Sequence, residues 1–181
     1  MNAMKWSPLS VASLSSLLLI VGCQPERLQT TSVNPRTIAF AQAGVSLLVG
    51  EEWQCQNVNS DHGLYPPTLL SPAGKIRVVL LPPDQTDPAT VADVLRARFD
   101  VNPQVAKHSF RRQQFASDQG VQGLCVSYLQ QAAGGKSTVE NWHYLVKNRA
   151  GRCVAINYLA SAEGVDPSAA SRMVRTSLSL H

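Results

Sequence analysis

Hydrophobic and polar positions along this chain fall into two regimes. Near the start an uncharged stretch runs from Pro8 to Val21, ends in Leu17-Leu18-Leu19-Ile20-Val21, and is preceded by a single positive charge, Lys5. Beyond it, short apolar runs alternate with turn residues, and two segments repeat at helical spacing. Val45–Val49 reads as a strand, stopped by Gly50-Glu51-Glu52, and Trp53–Val58 as a second short one. Leu64–Ser71 carries Pro66-Pro67, so a strand there lies at an edge or begins after Pro67. Lys75–Leu81 is the strongest strand, introduced by Pro72-Ala73-Gly74. Its apolar residues fall on both faces, which predicts a place inside a sheet covered on both sides.

Asp87-Pro88 opens a helix with an N-cap acid and a proline in its first turn, and Val91, Val94, Leu95 and Phe99 form its apolar stripe. The same opening recurs at Asp166-Pro167, with Ala169, Ala170, Met173, Val174 and Leu178 as the stripe of a C-terminal helix. Between the helices lie His108–Ala116, Val121–Gln131, Val139–Lys147 and Arg152–Ala160. Their links, Asp118-Gln119-Gly120, Ala132-Ala133-Gly134-Gly135 and Asn148-Arg149-Ala150-Gly151, are short, which predicts an antiparallel meander. Helices before and after such a sheet predict an α+β layered domain.

At 181 residues the chain suits one domain with an extra segment, and residues 1–22 account for the extra. A positive end, an apolar run and a small residue at the cut mark a secretory signal, and the run is short for a span of about 20 residues. Ile20-Val21-Gly22-Cys23 resembles the lipobox of bacterial lipoprotein signals. That resemblance implies a diacylglyceryl group on the sulfur of Cys23, cleavage before it, and anchoring to a membrane. Each buried methylene contributes roughly 0.8 kcal/mol, so two or more acyl chains hold where one does not. The alternative is an ordinary cleaved signal, or an uncleaved anchor, with Cys23 incidental. Gln24 stands where an aspartate favours inner-membrane retention in enteric-type lipoproteins, so the resemblance implies the outer membrane, facing the periplasm. Residues 23–43 are polar, contain Pro25 and Pro35, and read as a flexible tether closing with a short strand at Thr37–Phe40. Residues 44–181 form the single globular domain.

The order of elements is similar to the PsbP-like superfamily, which includes photosystem extrinsic subunits and small bacterial lipoproteins of DcrB type. The likeness covers about residues 44–180. It rests on Gly44-Val45-Ser46-Leu47 followed by Trp53, the Lys75–Leu81 strand, the helix at Pro88–Phe99 and the Gly120-Val121-Gln122-Gly123 turn. The strand Arg152-Cys153-Val154-Ala155-Ile156-Asn157-Tyr158 and a last helix ending in Ser-Leu complete it. Gly50-Glu51 departs from the group, where a proline is typical. The resemblance implies an α/β/α sandwich and a non-catalytic accessory or binding role, with no catalytic residue to carry over.

Without Lys5 the chain keeps 15 basic and 12 acidic side chains, and Arg111-Arg112 is its one adjacent basic pair, so nucleic-acid binding is a poor reading. An exported domain meets oxidising conditions. Among Cys55, Cys125 and Cys153 the expected disulfide is Cys55–Cys153, with Cys55–Cys125 behind it and three buried thiols as the alternative. The sharpest enzymatic reading pairs Cys153 as nucleophile with His143 from the neighbouring strand, although no orienting partner or oxyanion loop is evident. His62, His108, His143 and His181 lack metal-ligand spacing, no nucleotide or hydrolase motif is present, and no cofactor is expected. Trp53, Trp142, Tyr128, Tyr144 and Tyr158 read as core or sheet-face residues. The expectation is a tethered module that binds a protein partner in the envelope. The alternative is a small-ligand carrier or envelope enzyme with a cleft near Cys153 and His143.

Overall fold

The computed structural model describes residues 35–56, 66–131, 138–160 and 167–181, the last group without side chains for 167–169. The leader, Cys23, Asp61-His62, the Ala132–Gly135 loop and Asp166 lie outside the described residues. The elements are β1 (Arg36–Phe40), a 3-10 turn (Ala41–Ala43), β2 (Val45–Val49), β3 (Gln54–Gln56), β4 (Thr68–Ser71), β5 (Gly74–Leu80) and α1 (Pro88–Asp100). There follow β6 (Arg111–Ala116), β7 (Gln122–Gln131), β8 (Thr138–Lys147), β9 (Cys153–Ala160), α2 (Pro167–Ser177) and β10 (Ser179–Leu180).

The expected α+β class and antiparallel meander are present. β6, β7, β8 and β9 pair in succession, and the sheet continues from β9 through β5 and β4 to β3, antiparallel throughout. β4 begins after Pro67, as its prolines require, but is flanked by β3 and β5 rather than lying at the edge. A second sheet, in the order β1-β2-β10, was not foreseen.

Period-two alternation sorts the large sheet into two faces. Ile76, Val78, Cys125, Tyr144, Val146, Val154, Ile156 and Tyr158 face Val45, Leu47 and Val49 of the small sheet and Ala170 and Val174 of α2. Leu124, Val126, Leu145, Cys153 and Ala155 face Val91 and Ala92 of α1. The layers are therefore α1, the large sheet, and then the small sheet with α2. The expected sandwich of helices on a sheet is thus present, with the small sheet sharing the third layer beside α2.

Asp87 caps α1 as its sequence position requires: its carboxylate accepts from the Thr90 amide and hydroxyl, each at 3.0 Å. Of the expected stripe, Val91 is buried but Val94 is 46% exposed, and Ala92 takes the inward place. Covering of β5 on both sides is corrected too, since Arg77 is exposed and Lys75 only half-buried.

The boundary at Gly44 is also corrected. Arg36–Phe40 pairs along its whole length with Val45–Val49, and Phe40 and Ala43 are buried, so residues 36–43 belong to the folded part. The chain enters at one end of the molecule, where Arg36 Nη2 donates to Trp53 O at 3.0 Å beside the start of β3. At the opposite end, Asn148 of the β8–β9 turn donates to Ala43 O at 3.0 Å.

Candidate functional site

The strand register separates the expected chemistry. Cys55 aligns with Leu69, Leu69 with Ile76, and Ile76 with Tyr158, so three inter-strand steps lie between Cys55 and β9. At about 4.8 Å per step that is roughly 14 Å before the five residues from Tyr158 back to Cys153 are added. Cys55 also packs on the face of the small sheet, and Cys153 on the face of α1. A disulfide needs Cα atoms within about 7 Å, so the expected Cys55–Cys153 bond is not formed. Cys125 lies on the opposite face from Cys153 with β8 between them, and all three thiols are free.

The Cys153–His143 pair fails for a similar reason. His143 is opposite Asn157 and Cys153 opposite Lys147, so the two side chains share a face but stand four residues apart, about 13 Å along the strands. Burial pushes the Cys153 thiol up to about 11, and the nearby Asp87 carboxylate acts in the same direction. Such a thiol stays protonated at neutral pH and is a poor nucleophile.

His143 instead belongs to a polar chain on the α1 face of the sheet. Its Nδ1 donates to Asn157 Oδ1 at 2.6 Å, which leaves Nε2 to accept from the Tyr128 hydroxyl at 3.3 Å. Desolvation lowers its pKa below the ordinary 6.5, against a smaller upward pull from the Asn157 bond, so the ring is neutral at pH 7. Asn141 extends the chain, donating to Gln130 Oε1 and accepting from the Ala160 amide, both at 3.0 Å. The Phe99 ring at the end of α1 lies over Tyr128, 3.9 Å between centroids. The alternation of Tyr128 with Gln130 and of Asn141 with His143 was the sequence signal for this polar row; only the register shows that the two pairs share a face.

Beyond Phe99 the last turn of α1 and the loop 101–110 enclose a cleft of about 480 Å³ that sequence reasoning missed. Arg96, Phe99, Val105, Lys107, His108 and Phe110 are among its lining residues. The loop is fastened to β7: the Ala106 amide donates to Leu129 O at 2.9 Å and the Gln131 amide to Gln104 O at 2.8 Å. Ser109 Oγ accepts from the Leu129 amide at 3.1 Å and donates to Ala106 O at 2.6 Å. His108 has φ of 61°, the left-handed conformation that a side chain seldom adopts. Among the described residues no three His, Cys, Asp or Glu gather as a ligand set. No helix among them is long and apolar enough to cross a membrane.

No family model matches this chain, and neither does any curated protein. Solved structures define the class instead. The solution structure of cyanobacterial PsbP (CyanoP) from Synechocystis sp. PCC 6803 is similar at 12% identity and a TM-score of 0.53, over 84% of this chain and 96% of that one. The Ran-binding protein Mog1p of Saccharomyces cerevisiae is similar at 15% identity and a TM-score of 0.48, over 82% and 96%. The protein has a PsbP-like α+β fold, built on a large antiparallel sheet with two helices.

Proposed function

We propose that this chain is a non-catalytic envelope module, anchored by lipid on Cys23 to the periplasmic face of the outer membrane and engaged there with a protein partner. The observation that carries the reading is the use to which the fold puts its reactive groups. His143 is locked between Asn157 and Tyr128, and Cys153 is buried about 13 Å from it. Neither is left with a nucleophile–base geometry. Support for the anchor is the run Ile20-Val21-Gly22-Cys23 together with the distance from Cys23 to β1. Residues 24–35, if extended, reach about 40 Å, enough to present a domain of this size above a bilayer.

The test is a crosslinked pull-down from intact cells, comparing wild type with Cys23→Ala and following incorporation of labelled palmitate. The expected result is label on wild type alone and one partner recovered near stoichiometry that is lost with the anchor. Equal labelling of both forms would overturn the anchor, and the absence of any partner from either would overturn the binding role.

A further inference from the structure

We propose that the cleft at the C-terminal end of α1 binds a small organic anion with an apolar body, an aromatic or branched carboxylate. Its volume of about 480 Å³ lies within the range of small-ligand sites. Phe99 and Phe110 meet there at 48° with centroids 6.2 Å apart, and the nearly buried Val105 adds to the lining, so a flat or branched apolar group meets preset walls. Phe99 is itself held by its stack on Tyr128, and Tyr128 by His143, so the floor is rigid before a ligand arrives.

The rim sets the sign of the ligand. Arg96 and Lys107 stand against one acid, Asp100, which already lies 3.8 Å from Arg96. Lys107 has no ion-pair partner among the described residues and is the cation free to meet a carboxylate. A helix C-terminus ordinarily disfavours an anion. Here the Phe99 carbonyl is occupied by the amides of Val101 and Asn102, the latter at 3.1 Å, which blunts that repulsion. The site lies within the folded part, so it stands or falls separately from the anchor on Cys23.

The test is equilibrium dialysis of labelled 4-phenylbutyrate with the full chain in neutral phosphatidylcholine nanodiscs, against empty discs. Saturable binding with a dissociation constant below about 1 mM is expected. Lys107→Glu should weaken it by about fivefold or more, as reversal of one exposed charge implies. Arg98→Glu, on α1 but outside the cleft lining, should bind like wild type, and matching circular dichroism would show both variants folded. Competition from oleate in the discs would make a membrane fatty acid the source of the same chemistry, and its failure to compete would make it a soluble acid. No excess over empty discs, undiminished binding by Lys107→Glu, or equal binding of uncharged 4-phenylbutanol would overturn the proposal.

Discussion

His143 is enclosed on every side that a proton would use. Desolvation lowers its pKa, so the folded protein takes up that proton only at a pH below the ordinary 6.5, whereas the unfolded chain takes it up near 6.5. The linkage follows in sign: the contribution of neutral His143 is complete above pH 6.5 and is lost as pH falls from there through the folded-state value. His143→Gln keeps a hydrogen-bonding side chain but cannot titrate. Melting temperatures at pH 7.5 and 5.0 should show the wild type falling further than the variant, so that the gap between them narrows in acid. Parallel curves would mean that the fold does not lower the His143 pKa from its unfolded value. Cys153 gives a second residue-scale expectation. With its thiol raised to about 11 and its side chain buried, alkylation at pH 7.5 should be slow in the native protein and fast in denaturant. Peptide mass spectrometry after timed alkylation reads this directly, and a native rate equal to the denatured one would return Cys153 to the list of nucleophiles.

Among the elements, β1 tests how the fold begins. Arg36-Thr37-Ile38-Ala39-Phe40 alternates weakly and follows a polar segment, so its pattern suggests a short strand at Thr37–Phe40 closing a tether but not the partner it pairs with. What makes it a strand is the partner it finds in Val45–Val49 through a left-handed turn at Gly44, φ 66°. Tertiary pairing of this kind is invisible to local periodicity. Because Phe40 is 1% exposed, Phe40→Ala should cost about 3–5 kcal/mol, read as a lower urea midpoint with an unchanged slope. Loss below 1 kcal/mol would place β1 outside the cooperative unit. The helices were more legible, since Asp87-Pro88 writes its own cap into the sequence. Asp87→Ala should lower the urea midpoint in the same experiment through loss of the cap on the Thr90 amide. The inward face of α1 was less so. Val91 and Leu95 repeat correctly on the helical wheel, but a helix that covers mainly β7 and β8 leaves Val94 outside, and the wheel contains no information about that width.

For the molecule as a whole, strand order governs which residues meet, and strand order is the property that spacing along a chain conveys least. β6 to β9 follow one another because their turns are short, and that stretch was readable. The pairing of β5 with β9 spans α1 and three strands, and it carries β4 and β3 to the far edge with Cys55. A pairing argument that knew only β7, β8 and β9 correctly kept Cys125 from Cys153 but had no means of keeping Cys55 from either. The resulting prediction bears on the whole topology. Monomer purified from an oxidising compartment and denatured without reductant should show Cys55, Cys125 and Cys153 all open to alkylation, with no intramolecularly linked peptides. Cys55, half-buried on the edge strand β3, is the thiol best placed to form an intermolecular bond, so a dimer on a non-reducing gel that Cys55→Ser abolishes is compatible with the fold. An intramolecular Cys55–Cys153 peptide is not. It would require β3 to lie beside β9 with both side chains on one face, and no register of the sheet order β3-β4-β5-β9 permits that.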